Sequence, residues 1–271
     1  MPELPEVETI KKELCPLVDG QKVNKVEVFR ESIIKGGGFV ASLEGRKIIK
    51  LKRVAKYLLF ELDKGFLLAH LGMTGKFTKG DDQRQEAIQT HDRARFFLSS
   101  GQIITYSDIR CFGFLTYLDD LESYPRLQGL GPDALNDPLD AKAFKEKAKG
   151  KNKKIRDYLL DQRVIAGVGN IYANEACFRA KIRPAKKAGS LKLGQWERLL
   201  QKTQGIIKEA LVHNGTSISD YKRVDDKSGD FQNFLQVYGK DKSPCPICQT
   251  IIKREVYGAR SAFFCPRCQL G

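Results

Sequence analysis

Near its C-terminus the chain carries Cys245-Pro-Ile-Cys248 and, after sixteen intervening residues, Cys265-Pro-Arg-Cys268. Each Cys-x-x-Cys pair can fold into a knuckle that turns both sulfurs inward. Two such knuckles complete a tetrahedral four-thiolate site for one zinc ion. Four protein ligands leave no open coordination position, so the expected Zn2+ is structural and holds a segment in place. Between the knuckles the pattern predicts a hairpin, Ile251 to Val256 and Ser261 to Phe264, with Tyr257-Gly258-Ala259-Arg260 at its tip. An arginine there either contacts phosphate or is simply exposed. The chain has seven cysteines, and an odd number argues against a secreted disulfide framework. Cys15, Cys111 and Cys177 lack a nucleophile's usual His and Asp context and are expected to pack.

The 271 residues carry 47 Lys and Arg against 33 Asp and Glu, a net charge of +14. That excess points first to nucleic acid and only then to an acidic membrane surface. No apolar run approaches the ~20 residues of a membrane span, and the N-terminus has no signal-peptide pattern. A cytosolic protein is expected.

Residues 23 to 118 alternate as short strands. Ile48 to Leu62 and Phe66 to Leu71 are strand-like runs parted by Asp63-Lys64-Gly65, and Arg95 to Leu98 with Gln102 to Tyr106 flank a Ser-Ser-Gly turn. Antiparallel strands in this number suggest a sandwich or barrel. Past Gly129-Leu130-Gly131-Pro132 the pattern becomes helical, with helices expected at about 153 to 165, 171 to 181 and 191 to 213. Between Lys142 and Arg156 runs a basic stretch that suits either a solvated helix face or a phosphate-facing one. The region Asn214 to Phe231 reads as a loop.

The N-terminus, Met-Pro-Glu-Leu-Pro-Glu-Val-Glu, supports two readings. Proline and glutamates at the start of an amphipathic helix marked by Val7, Ile10, Leu14 and Leu17 are what the helix dipole favours. Alternatively, removal of Met1 exposes the secondary amine of Pro2, a group that titrates near ~8 and attacks aldehyde-like carbon, with Glu3 and Glu6 placed to move protons. Two further clusters point to DNA. Gly167-Val-Gly169-Asn170-Ile-Tyr172 reads as a tight turn between helices whose N-H groups can bind phosphate. Met73 lies in a glycine-flanked loop, and Arg110 and Phe112 lie two apart, on one side of an extended chain. Apolar wedges beside an arginine are what fills a gap in a base stack.

Together these residues resemble the formamidopyrimidine-DNA glycosylase family. The similarity runs from Pro2-Glu-Leu-Pro-Glu-Val-Glu-Thr through Arg53-Val-Ala-Lys56-Tyr, His70-Leu-Gly-Met73, Asp108-Ile-Arg110-Cys-Phe112-Gly, Gly167-Val-Gly-Asn170-Ile-Tyr and Leu235-Gln-Val-Tyr238-Gly to the four cysteines. The resemblance implies an α+β fold of two domains. An N-terminal antiparallel β-sandwich with a leading helix would span 1–134, and a basic linker 135–152. A helix-two-turn-helix domain would span 153–234, and a four-Cys zinc finger 235–271. It implies a monomeric DNA repair enzyme that excises oxidised purines from duplex DNA and then cuts the abasic site by β,δ-elimination. By position, Pro2 is the implied Schiff-base nucleophile, Glu3 the general acid with Glu6 supporting it, Lys56 the proton donor for β-elimination and Arg260 that for δ-elimination. His91, Arg110, Asn152, Asn170, Tyr238, Met73 and Phe112 match DNA-contacting positions. Asn152 departs from the lysine that many relatives carry, with Lys151 and Lys153 as possible substitutes, and Cys111 stands where a basic residue is common. Two alternatives remain: an endonuclease VIII-type enzyme acting on oxidised pyrimidines, and a non-catalytic zinc-containing DNA-binding protein.

Overall fold

The computed structural model describes residues 2–81, 87–122, 124–217, 223–225 and 227–270. Helix α1, Leu4–Val18, has Pro5 in its first turn, where a missing N-H costs nothing, and Glu6 near its positive end. Val7, Ile10, Leu14 and Val18 form its buried stripe.

The strands that follow are β1 Val23–Val28, β2 Ile34–Lys35, β3 Ile48–Val54, β4 Tyr57–Leu62, β5 Phe66–His70, β6 Gly75–Asp81, β7 Asp92–Leu98, β8 Gln102–Asp108 and β9 Phe114–Leu118, with α2, Phe39–Leu43, between β2 and β3. Among the described residues they form two sheets, in the orders β1-β7-β8-β6 and β2-β9-β5-β4-β3. All pairs are antiparallel except β2 with β9. Alternate residues of both sheets meet the α1 stripe in one apolar core, and the rings of Phe60 and Phe77 touch across it at 6.0 Å. The expected run from Ile48 to Leu62 is therefore two strands. It reverses at Ala55-Lys56, with Val54 opposite Tyr57 and Ala55 at a positive φ of 52°.

The short helix α3, Pro125–Gln128, follows the sheets. After it come α4 Ala141–Ala148, α5 Ile155–Leu159, α6 Asn170–Arg179, α7 Leu193–Val212 and the hairpin β10 Lys253–Tyr257 with β11 Arg260–Phe264. The helix expected over 153 to 165 is only α5. The chain turns at Asp161, whose carboxylate accepts the N-H of Arg163 at 3.2 Å and whose carbonyl accepts that of Val164 at 2.8 Å. Trp196 of α7 is fully buried against Phe144 and Tyr158.

The chain forms two compact units, residues 1–128 with 213–232, and residues 129–212 with 233–271. Chain order alone places 213–232 with the helices, but it packs with the sandwich unit.

Candidate active site

The start of α1 is buried together with its acidic groups. Pro2, Glu3 and Glu6 are all buried, while Met1 lies outside the described residues. Glu3 and Glu6 form a reciprocal capping box, in which the Glu3 N-H donates to Glu6 Oε2 at 2.8 Å. The other oxygen, Glu6 Oε1, accepts the N-H of Thr216 at 2.7 Å. Gly215 permits this approach, since it sits at φ +80° and a Cβ there would lie 2.9 Å from Glu6 Oε1. Glu6 thus joins the helix start to the 213–217 segment. Of the expected loop Asn214 to Phe231, residues 218–222 and 226 lie outside the described residues.

Lys56 is buried at the tip of the β3-β4 reversal. Next to it, His70 at the end of β5 stacks on Phe114 at 5.6 Å and lies 5.0 Å from the ring of Tyr57. Burial, followed by the Lys56 and Arg126 charges, pushes its imidazole down to about 4. The ring is therefore neutral at pH 7. Its Nδ1 accepts the N-H of Gly72 at 3.1 Å, which leaves the proton on Nε2.

Met73, Arg110 and Phe112 stand on two loops welded by one carboxylate. Asp108 is wholly buried. Its Oδ1 accepts the Thr74 hydroxyl and the Arg110 N-H at 3.2 Å. Its Oδ2 accepts the Gly113 N-H at 2.8 Å and the Tyr106 hydroxyl at 3.5 Å. Burial and the Asp108 charge push the Tyr106 phenol far up, so it remains a donor. Thr74 in turn accepts the Arg110 N-H at 3.0 Å. The loops touch at Gly72, where a Cβ would come within 2.3 Å of Gly113 N.

On this platform Phe112 is 57% and Met73 36% exposed. The Arg110 guanidinium lies 4.7 Å from the Phe112 ring centroid, a cation-π contact. The sequence pattern brought these two side chains together through an extended backbone. In the structure Cys111 between them has φ +52°, so a left-handed turn stacks them. His91, exposed before β7, joins the same network: its carbonyl accepts the Asp108 N-H at 3.0 Å.

The second unit gathers a different set. Asn170 opens α6, and its Nδ2 donates to the Ser261 carbonyl at 3.1 Å. Its Oδ1 accepts Arg156 Nη1 at 3.1 Å, while Arg156 Nη2 donates to the Arg260 carbonyl at 3.3 Å. Arg156 thus ties the helix that carries Asn170 to the hairpin that carries Arg260. It is the last member of the basic stretch, and its side chain is 0% exposed, whereas Lys142, Lys145, Lys147, Lys149, Lys151, Asn152 and Lys153 are exposed. Arg260 is exposed at the start of β11. Tyr238 packs on Phe263 at 5.0 Å. Buried Glu175 accepts the N-H groups of Gln236, Val237 and Tyr238 at 2.8 to 3.0 Å.

Comparison with known proteins decides what this arrangement belongs to. Residues 1–115 match the formamidopyrimidine-DNA glycosylase N-terminal domain, residues 130–222 its H2TH domain, and residues 242–270 a zinc finger found in FPG and IleRS. The chain belongs to the formamidopyrimidine-DNA glycosylase family. It is 36% identical over 274 residues to the formamidopyrimidine-DNA glycosylase of Pasteurella multocida, with 99% of each chain covered. To that of Rhodopseudomonas palustris it is 37% identical over 290 residues, covering 99% of this chain and all of the relative. Among solved structures, Lactococcus lactis Fpg with an abasic site containing DNA superposes with a TM-score of 0.91 at 32% identity, covering 99% of this chain and 100% of that one. MutM (FPG) from Thermus thermophilus gives 0.89 at 38% identity, with 99% and 98% covered.

The glycosylase family's zinc finger accounts for the cysteines. The Sγ atoms of Cys245, Cys248, Cys265 and Cys268 all lie within 4.8 Å of one another. The N-H groups of Ile247 and Cys268 point at Cys245 and Cys265 Sγ at 3.5 and 3.4 Å. Four convergent thiols on two knuckles suit one structural zinc. Cys245 and Cys265 share an apolar cluster with Phe178 of α6, and Gln269 Nε2 donates to the Ile182 carbonyl at 2.8 Å. The metal therefore anchors the β10-β11 hairpin to α6.

Among the remaining cysteines, Cys177 is buried, with its thiol pushed up to about 12 by burial. Cys15 is half-buried with its Sγ toward the Leu51 carbonyl. Both pack, as their isolation in the sequence suggests. Sequence reasoning gave no individual role to Asp108, Thr74, His70, Arg156 or Glu175. Arg156 is one of many basic residues in its stretch, and nothing local marks it as the buried one.

Proposed function

We propose that this protein is a bifunctional DNA glycosylase and abasic-site lyase of base excision repair, acting on oxidised purines in duplex DNA. The observation that carries the reading is the first unit itself. It combines a buried acidic helix start directly after Pro2 with an Asp108-held platform that presents Met73, Arg110 and Phe112. The Lactococcus lactis relatives, solved with Fapy-dG containing or abasic-site DNA, support the substrate class.

In this mechanism Met1 is removed and the target nucleotide is turned out of the stack, while Met73 and Phe112 fill the gap and Arg110 faces the orphaned cytosine. The Pro2 nitrogen attacks C1′ with Glu3 as general acid and Glu6 in support, and the base departs. The ring-opened sugar is then an iminium whose C2′ proton is acidic. Loss of that proton expels the 3′ phosphate, with Lys56 as proton donor. A second elimination, with Arg260 as donor, expels the 5′ phosphate. His91, Asn152, Asn170 and Tyr238 contact the DNA strand. Zinc takes no part in the chemistry. Residues 1–134 act as the catalytic domain, 135–152 as the linker, 153–234 as the helix-two-turn-helix domain and 235–271 as the zinc finger, with 213–232 returning to the catalytic unit. A monomer working in the cytosol goes with this reading, and no helix among the described residues is long and apolar enough to cross a membrane.

Borohydride trapping tests the reading. A covalent complex should form with duplex DNA carrying 8-oxoguanine opposite cytosine, and Pro2→Gly or retention of Met1 should greatly reduce it. Undiminished trapping with Met1 retained would overturn the amine mechanism. Faster cleavage of thymine glycol than of 8-oxoguanine would favour the endonuclease VIII type, and DNA binding without strand cleavage a non-catalytic protein.

A further inference from the structure

Lys56 stands on an improbable turn. A two-residue reversal joins β3 to β4, and its first residue, Ala55, has φ +52°. That left-handed conformation suits glycine or asparagine and is disfavoured for alanine. A non-glycine residue stays there only where its surroundings impose it.

Here the neighbour that imposes it is Arg53, the next-to-last residue of β3. Its side chain is 1% exposed. Nη1 donates to the Ala55 carbonyl at 2.8 Å, and Nε donates to Glu8 Oε2 at 2.8 Å. One planar guanidinium therefore grips the turn with one arm and α1 with the other. Glu8 lies five residues after Glu3 on that helix, which places it about 7.5 Å further along the axis at ~1.5 Å per residue. Its second oxygen, Oε1, accepts Lys11 Nζ at 3.1 Å.

We propose that the Arg53-Glu8 pair is the positioning device for Lys56. It holds the strained Ala55 turn against the helix that begins at Pro2 and Glu3, so that the amine which handles the elimination is fixed relative to the groups that form the covalent intermediate. Arg53 and Glu8 are positioning residues and touch no reacting atom. The assignment rests on the role given to Lys56 above. It requires a side chain with two donors in a fixed fork, a geometry that arginine has and lysine lacks.

The test is a double-variant cycle on the full chain with zinc bound, using single-turnover cleavage of a preformed abasic site in saturating duplex DNA, so that binding does not enter. Lys56→Ala alone should lower the rate roughly a hundredfold or more. Arg53→Lys keeps the charge but serves only one of the two acceptors, and should lower it roughly ten- to a hundredfold. Arg53→Lys combined with Lys56→Ala should be no slower than Lys56→Ala alone, because a positioning residue has nothing left to position.

Losses that multiply in the double variant would show that Arg53 acts on the fold at large and would overturn the proposal. So would an Arg53→Lys rate equal to the parent's. An unchanged rate in Lys56→Ala would instead refute the role of Lys56 itself, a separate outcome. Thermal unfolding is followed alongside. Should Arg53→Lys fail to fold, Glu8→Gln preserves the volume, removes the charge, turns one acceptor oxygen into a donor and enters the same cycle.

Discussion

Replacing Asp108 by asparagine changes one buried oxygen to an amide nitrogen and leaves the shape intact. In the parent each oxygen serves one backbone N-H and one hydroxyl: Arg110 and Thr74 on Oδ1, Gly113 and Tyr106 on Oδ2. A hydroxyl can turn and accept from the new NH2 group, but a backbone N-H cannot. With the amide nitrogen toward Gly113, that N-H faces another donor; with it toward Arg110, the Arg110 N-H keeps the Thr74 hydroxyl oxygen at 3.0 Å as its acceptor. The second arrangement leaves every N-H with a partner, so the loss is that of the charge on the acceptors and of one arm of a shared bond, about 1–3 kcal/mol. The first unit should therefore lose roughly 1–3 kcal/mol, which for a body of this size lowers the midpoint by roughly 3–12 °C. Thermal unfolding by near-ultraviolet circular dichroism measures that shift, and amide hydrogen exchange at Arg110 and Gly113 locates it. The same variant should discriminate less between 8-oxoguanine paired with cytosine and with adenine, since the Arg110 N-H is then held by Thr74 alone. A midpoint within about 1 °C of the parent's, with both amides still protected, would refute the idea that Asp108 holds the platform.

Acid should weaken the first unit through His70. Its imidazole is held down to about 4 in the fold against ~6.5 when unfolded, so the unfolded chain binds the extra proton first. The stability from the neutral ring is complete above pH ~6.5 and is lost as pH falls toward ~4, amounting to roughly 3 kcal/mol. Urea titrations across that range should show this slope in the parent and a flatter one in His70→Gln; equal slopes would count against it. Zinc analysis should find one ion per chain. Its removal by chelator at neutral pH should unfold the β10-β11 hairpin and weaken DNA binding, as read by amide hydrogen exchange at Phe263 and by duplex titration, while the exchange protection of the sandwich strands persists.

Several parts of this protein were legible because their cause is local. Proline and glutamates ahead of a stripe at Val7, Ile10 and Leu14 specify α1 by capping and periodicity. The cysteine spacing specifies the zinc module because a knuckle is a four-residue object. The Ser-Ser-Gly hairpin between β7 and β8 carries its own turn signal.

The reversal at Ala55-Lys56 carried no such signal. Neither residue is a turn former, and the bend exists because Arg53 reaches back to Ala55 from a side chain anchored on Glu8. Arg110 and Phe112 meet through a left-handed Cys111 rather than an extended chain, a conformation that the i, i+2 spacing does not encode. The helical pattern over 153 to 165 yields only Ile155–Leu159 because Asp161 turns the chain with its own carboxylate.

Taken by itself, the sequence determined which residue types were present for the chemistry: a proline and glutamates at one end, four convergent thiols at the other, and a basic surplus to meet phosphate. Tertiary structure alone decided which polar groups are buried and paired. Asp108 and Arg156 each join segments distant in the chain, and Glu6 reaches Thr216 across 210 positions. A buried charge has no signature in its neighbours along the chain. The cost of removing it from water is offset only by partners that the fold brings to it from elsewhere.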